Sequence, residues 1–318
     1  CCVRDMSINA DLNGILVLKG QVLTFNDTPH NYEYWETGCV VIEGGFIISV
    51  GDVASVEVPN GANVIDHGKD LILPGFVDGH VHYPQMNVIG SFGAKLIDWL
   101  NTYTFPEEAK FSDKSYASAI ANLFLSESLK NGYTTSSVFC TTHPQSVDAF
   151  FSEADKLGLR MIAGKVLMDR NAPENLLDTA QSSYDQSKEL IDKWHNKNRA
   201  LYAVTPRFAP TSTPAQLEVS GTLYKEYEGV YVQSHVSENV EEISWVGELF
   251  QQSTSYLDVY NQFGLLGPRT LYGHGIHFSD ADIEMVKDTD TSIVHCPTSN
   301  LFLGSGLFAY QKFKEARV

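Results

Sequence analysis

The 318-residue sequence is poor in cysteine, in basic charge and in long apolar runs, and each shortage excludes something. Its five cysteines, Cys1, Cys2, Cys39, Cys140 and Cys296, include no C-x-x-C pair, so neither a zinc ribbon nor a thioredoxin-like motif is available. Sparse use in a chain this long points to reduced thiols and a cytoplasmic protein. Cys296, beside His295, reads as a small buried hydrophobe rather than a nucleophile. A formal net charge of −17 without any run of Lys and Arg argues against a nucleic-acid partner and favours a small neutral molecule. No apolar stretch suffices to cross a bilayer, so no membrane partner is expected, and Gly14 to Leu18 is too short for a signal peptide. The first methionine is Met6, and the five residues before it are expected to be translated upstream sequence. What the chain does have is 43% hydrophobic residues, enough to bury one large core with a smaller satellite.

The pattern changes character at Pro74. Before it, short strands are expected at Gly14 to Leu18, Val22 to Phe25, Cys39 to Ile42, Phe46 to Val50, Asn63 to Asp66 and Leu71 to Leu73, punctuated by Gly, Asn, Asp and Pro. Residues 1–73 therefore read as a small β domain. From Pro74 to the end, residues 74–318, strands alternate with amphipathic helices. Strands are expected at Gly75 to Val81, Tyr133 to Cys140, Arg160 to Leu167, Ala200 to Thr205, Val230 to Ser234, Thr270 to Tyr272 and Ser292 to His295. Ser112 is expected to cap a helix that buries Tyr116, Ile120, Leu123 and Phe124 and stops at Gly132. A second helix should bury Phe150, Phe151, Ala154 and Leu157, and others fall near 179–196, 214–226, 239–263 and 279–288. Seven strands in this order give an α/β fold, a (β/α)₈ barrel of TIM type lacking its eighth β/α unit. An open doubly wound sheet would alternate similarly, but no G-x-G-x-x-G follows any strand.

Chemistry converges on the strand ends. In PGFVDGHVH, alternation puts His80 and His82 on one face of the first barrel strand, where a divalent metal could take both nitrogens. His235, His274 and His295 also end strands at the face where barrel enzymes build their sites. His80, His82, His235 and His274 could surround one metal, or remain ordinary hydrogen-bonded histidines. Glu238, three residues after His235, could serve as the base that a hydrolytic metal site needs, or merely sit in the first turn of a helix. Arg207 and Phe208 follow the fourth strand, and Gln85 follows His82. Together they suit a planar heterocycle bearing a carbonyl, or else loop packing with an exposed salt bridge. Lys165 reads as a structural charge, because the fourth strand carries no lysine that could bridge two metals. His30, His67, His143 and His195 are assigned no role.

PGFVDGHVHYPQ, WLNTYTFPEEAKF, TPRF, SHVSEN and HCPTSN, in this order and spacing, resemble the guanine deaminase family of the amidohydrolase superfamily, from about Leu71 to the end. The resemblance implies zinc-dependent hydrolysis of guanine to xanthine and ammonia, with one Zn2+ per site. It implies that His80, His82 and His235 bind zinc, and that His274 binds it or orients the attacking water. Glu238 would shuttle the proton, and Gln85, Arg207 and Phe208 would hold guanine beside His82, His235 and Glu238. Homodimers are what such a family suggests. The family also carries an aspartate at the end of an eighth strand, and this sequence stops before that position. It is thus expected to be a fragment, poorly stable and weakly active by itself. The alternatives are another mononuclear deaminase or chlorohydrolase acting on a different ring, or a non-catalytic scaffold of the same fold.

Overall fold

Glu43, Gly44, Gly45 and Phe46 close the tightest turn near the start of the chain. Both glycines take positive φ, 57° and 82°, and Glu43 pairs directly with Phe46 across a two-residue hairpin. The computed structural model describes residues 14–26, 31–92 and 96–318; Cys1, Cys2, Met6 and His30 lie outside the described residues. The hairpin belongs to a four-stranded sheet of β1 (Ile15–Phe25), β2 (Tyr32–Glu43), β3 (Phe46–Asp52) and β4 (Asn63–Ile72), in the order β3-β2-β1-β4. β1 runs antiparallel to β2 and parallel to β4. Val17, Cys39 and Val41 form its small core. The two short strands expected before and after Gly20 are one, because a register shift between Gly20 and Val22 absorbs the irregularity. β4 likewise runs unbroken through Gly68.

The chain divides into two units between Phe76 and Val77. The second is built on β5 (Phe76–His82), β6 (Tyr133–Phe139), β7 (Arg160–Gly164), β8 (Val166–Leu167), β9 (Ala200–Pro206), β10 (Tyr231–Val236), β11 (Thr270–His274) and β12 (Ser292–Val294). Their order is β12-β11-β10-β9-β7-β6-β5, with the short β8 also paired to β9. The expected strand from Arg160 to Leu167 is thus interrupted at Lys165. The two ends of the path approach each other: a methyl group on Gly79 of β5 would lie 3.0 Å from Val294 Cγ1 of β12. The result is a nearly closed parallel TIM-type barrel, α/β in class, with the antiparallel-containing sheet as an N-terminal addition.

Helices cover the barrel much as their apolar period dictates, with three differences. Asp113, not Ser112, caps Lys114–Lys130, its Oδ1 accepting from Ser115 N at 2.8 Å. Leu123 and Leu157 are 42% and 44% exposed; the buried stripe of the Lys114–Lys130 helix is Ala117, Ile120, Ala121, Phe124 and Leu125, and Leu123 falls outside it. The helix expected over 239–263 is two, Val240–Leu249 and Tyr256–Gln262, because Ser255 caps a fresh start by accepting from Asp258 N at 3.1 Å. Among the described residues no helix is long and apolar enough to cross a membrane.

Asp148 ties three of these helices together. It accepts from Lys114 Nζ at 2.6 Å, from Trp194 Nε1 at 3.0 Å and from Lys193. Burial by itself would raise its carboxyl pKa, but these donors outweigh burial and hold it below the ordinary carboxylate range. A depressed pKa contributes stability above the unfolded value and loses it as pH falls through the folded one. Asp148→Asn is therefore expected to cost about 1 kcal/mol near neutral pH, after allowance for solvent screening, with the difference shrinking below about pH 4. Denaturant melts of both forms at neutral and acidic pH check this, and equal midpoints at neutral pH would contradict it.

Candidate active site

Alternation along β5 sends His80 and His82 to the same side, with ring centroids 5.5 Å apart. β10 delivers His235 one residue before its end, and β11 closes on His274. Donor atoms of His80, His82 and His235 lie within 4.8 Å of one another, and the Nε2 atoms of His82 and His235 face each other at 3.0 Å. His80 reaches this position because β11 carries glycine beside it: a Cβ on Gly273 would stand 2.5 Å from His80 Cε1.

The tautomer of His235 follows from its partner. Its Nδ1 is 2.6 Å from the Arg207 carbonyl oxygen, which only accepts, so Nδ1 carries the hydrogen and Nε2 presents a lone pair. Burial first, and second the repulsion each charged ring would meet from the neighbouring histidines and, for His82, from Arg207, hold all three imidazoles well below their ordinary pKa. They are therefore neutral, the form that ligates metals. His82 Nδ1 is buried without a hydrogen-bond partner. Three neutral imidazoles converging on one point, with two nitrogens facing each other, fit a borderline divalent ion such as zinc.

His274 stands next to this group but faces differently. Its backbone holds a positive φ of 78°, uncommon for a residue with a side chain and frequent at functional sites. Its Nδ1 donates to Asn300 Oδ1 at 2.7 Å, which turns Nε2 toward Glu238 Oε2, 3.3 Å away. Its second set of neighbours is His80 and Cys296, whose donor atoms also lie within 4.8 Å. The four histidines thus converge without all four sharing one donor group.

Glu238 precedes the cap of the next helix. Asn239 is the N-cap and Glu241 and Glu242 occupy the first turn, so stabilisation by the helix dipole does not explain Glu238. Only 2% exposed, it accepts from Ser305 Oγ at 3.1 Å on Oε1. Burial pushes its carboxyl up to about 7, despite that hydrogen bond. Behind it, Glu242 Oε2 accepts from the backbone N–H groups of Glu238 and Asn239 at 3.1 and 3.2 Å, and Tyr256 donates to Glu242 Oε1 at 2.8 Å. Asn300, Ser305, Glu242 and Tyr256 were not foreseen; only Asn239-x-x-Glu242 carried a readable signal, that of a capping box.

A cleft of about 860 Å³ opens over these groups, and Gln85, Arg207 and Phe208 line it. Arg207 is in a salt bridge, but a buried one: Nη1 donates to Glu108 Oε2 at 2.7 Å, with the side chains 3% and 0% exposed. Its guanidinium also lies 5.1 Å from the Phe105 ring centre. Phe208 meets Trp245 edge-on at 6.3 Å. Lys165 is fully buried and paired with Asp178. His195 binds the backbone N–H of Tyr202 and the carbonyl of Glu228, and His295 stacks on Phe308 at 4.7 Å.

A family model described as "Amidohydrolase family" matches residues 71–317. A guanine deaminase of Escherichia coli (strain K12) is 47% identical over 285 residues, 89% of this chain and 65% of its own length. A solved structure of E. coli guanine deaminase aligns with a TM-score of 0.92 at 44% identity, covering 95% of this chain and 72% of that one. A guanine deaminase structure from C. acetobutylicum, with guanine bound in its active site, gives 0.89 at 35% identity over 96% of this chain and 73% of that one. The chain thus spans under two thirds of the curated relative's length, 65%.

The glycine beside His80 provides a test of the site geometry. Gly273→Ala is expected to displace the imidazole and reduce bound metal to about a tenth or less, with a stability loss of about 1–3 kcal/mol. Metal analysis of the folded variant decides, and undiminished occupancy would contradict the packing described.

Proposed function

Because the chain belongs to the amidohydrolase family, we propose that the protein is a zinc-dependent aminohydrolase converting guanine and water to xanthine and ammonia. The observation that carries this reading is the placement of Glu238, buried and 3.3 Å from His274, beside three converging neutral imidazoles in one cleft. His80, His82 and His235 would hold the zinc. The ion would supply Lewis acidity, making water acidic enough to react near neutral pH.

The remaining steps belong to side chains. Glu238, whose pKa near 7 lets it both accept and donate a proton at working pH, takes one from the attacking water. It gives that proton to the ring nitrogen; the remaining proton of the added hydroxyl then passes by way of Glu238 to the amino group, so that the C–N bond breaks with loss of ammonia as the new C=O bond forms. Ser305 donates to one of its oxygens, and His274 Nε2, left an acceptor by the Nδ1 hydrogen bond to Asn300, takes a hydrogen bond from the other when Glu238 carries the proton. Gln85, Arg207 and Phe208 line the cleft, and Gln85 and Arg207 would take the carbonyl and ring edge of the purine and Phe208 its face. Similarity to guanine deaminases supports guanine over other amino-heterocycles.

Incubation with guanine is expected to release xanthine and ammonia in equal amounts, and a substrate panel should rank guanine above triazines, pterins and adenosine derivatives. A zinc-loaded protein releasing neither product would overturn the reading. Glu238→Gln should lower kcat by about 10²- to 10⁴-fold while zinc content stays that of the parent. Retained turnover would remove Glu238 from the mechanism.

A further inference from the structure

Cys296 is the one cysteine among the described residues that lines the cleft, and the chemistry above does not use it. Its Sγ falls within 4.8 Å of donor nitrogens of His80 and His274. Three separate segments meet there: β5 brings His80, the end of β11 brings His274, and Cys296 immediately precedes the helix Pro297–Phe302. We propose that Cys296, His80 and His274 form a second, sulfur-containing metal position beside the three-imidazole one, selective for soft thiophilic divalent ions such as Cd2+.

The fit rests on donor type, orientation and cost. Thiolate with imidazole is a donor set that soft ions favour over harder ones. An ion the size of zinc, at about 2.3 Å from sulfur and about 2.0 Å from nitrogen, would space its donors roughly 3.5 Å apart, and the larger Cd2+ spaces them further, so modest side-chain rotation closes the observed gaps. Asn300 fixes His274 through Nδ1, so that Nε2, now 3.3 Å from Glu238 Oε2, carries the lone pair that an ion would take. The thiol donates only weakly, to the Val294 carbonyl at 3.4 Å, and burial, which pushes it up to about 12, is the cost that the bond to a soft ion must outweigh. On binding, the Sγ–H bond is replaced by an Sγ–metal bond and the proton passes to the buffer.

His80 belongs to both groups. An ion in the sulfur position therefore draws His80 away from His82 and His235, and the two occupancies exclude each other. A thiophilic ion would act by competing with the resident metal rather than by blocking the cleft. This inference rests on the histidine geometry and is independent of which heterocycle the protein hydrolyses.

Cadmium titration of the metal-free protein, followed by the ultraviolet sulfur-to-cadmium charge-transfer band, tests it. Cys296→Ser, nearly isosteric, is expected to lose the component of the band that saturates first and to weaken cadmium binding about tenfold or more. His274→Gln and His80→Gln should lose the same component, whereas His82→Gln should keep it. Circular dichroism of each variant establishes that it is folded. A full band in folded Cys296→Ser or His274→Gln, or a band that requires His82, would overturn the proposal.

Discussion

The hydrogen bond from His235 Nδ1 to the Arg207 carbonyl, 2.6 Å long, is the contact on which the rest of the site depends. It decides the tautomer of His235, and through the tautomer which nitrogen presents a lone pair to His82. Its strength depends on Arg207 being held still. Glu108 and the Phe105 ring do that from a helical segment roughly a hundred residues earlier. Removing one partner of such a buried ion pair leaves a buried charge uncompensated, typically costing about 3–5 kcal/mol. Glu108 and Phe105 are therefore parts of the site although neither stands among its converging donor atoms.

A second constraint is the low polarity of the place where these groups meet. Burial disfavours every charged form, driving imidazoles toward neutrality and carboxylates toward protonation. The same physics that keeps His80, His82 and His235 neutral lifts Glu238 and Glu242 to about 7. Such groups are tolerated because each is tied down. Glu242 accepts two backbone N–H groups and a tyrosine hydroxyl, and the neighbouring Tyr260 donates to the His235 carbonyl at 2.9 Å. The polar network fixes the loop carrying Glu238 in the one arrangement that also satisfies its own buried atoms.

Much of this was legible in the sequence where a short-range rule governs. Alternation predicts that His80 and His82 share a face, and the recurrence of strand and helix predicts the barrel and the strands that carry His235 and His274. Local competition was harder to read. Asp113 and Ser112 can both cap a helix, and only the backbone turn selects Asp113. The break between Val240–Leu249 and Tyr256–Gln262 hides in a run whose apolar spacing continues across it. Long-range pairings were not legible: Glu108 and Asn300 lie inside the motifs WLNTYTFPEEAKF and HCPTSN, but nothing in either says that they meet Arg207 and His274, and Ser305 reaches Glu238 only through tertiary folding. The short helical pieces between residues 96 and 112 were also missed, since they mix α, π and 3₁₀ turns and so carry no steady period.

Anomalous diffraction at the zinc edge from crystals of the metal-loaded protein shows whether the three imidazoles hold one ion. A single peak about 2.0–2.1 Å from ring nitrogens of His80, His82 and His235 is the predicted result. Two peaks about 3.5–4 Å apart, as in a binuclear site, or a peak away from these three imidazoles, would contradict it.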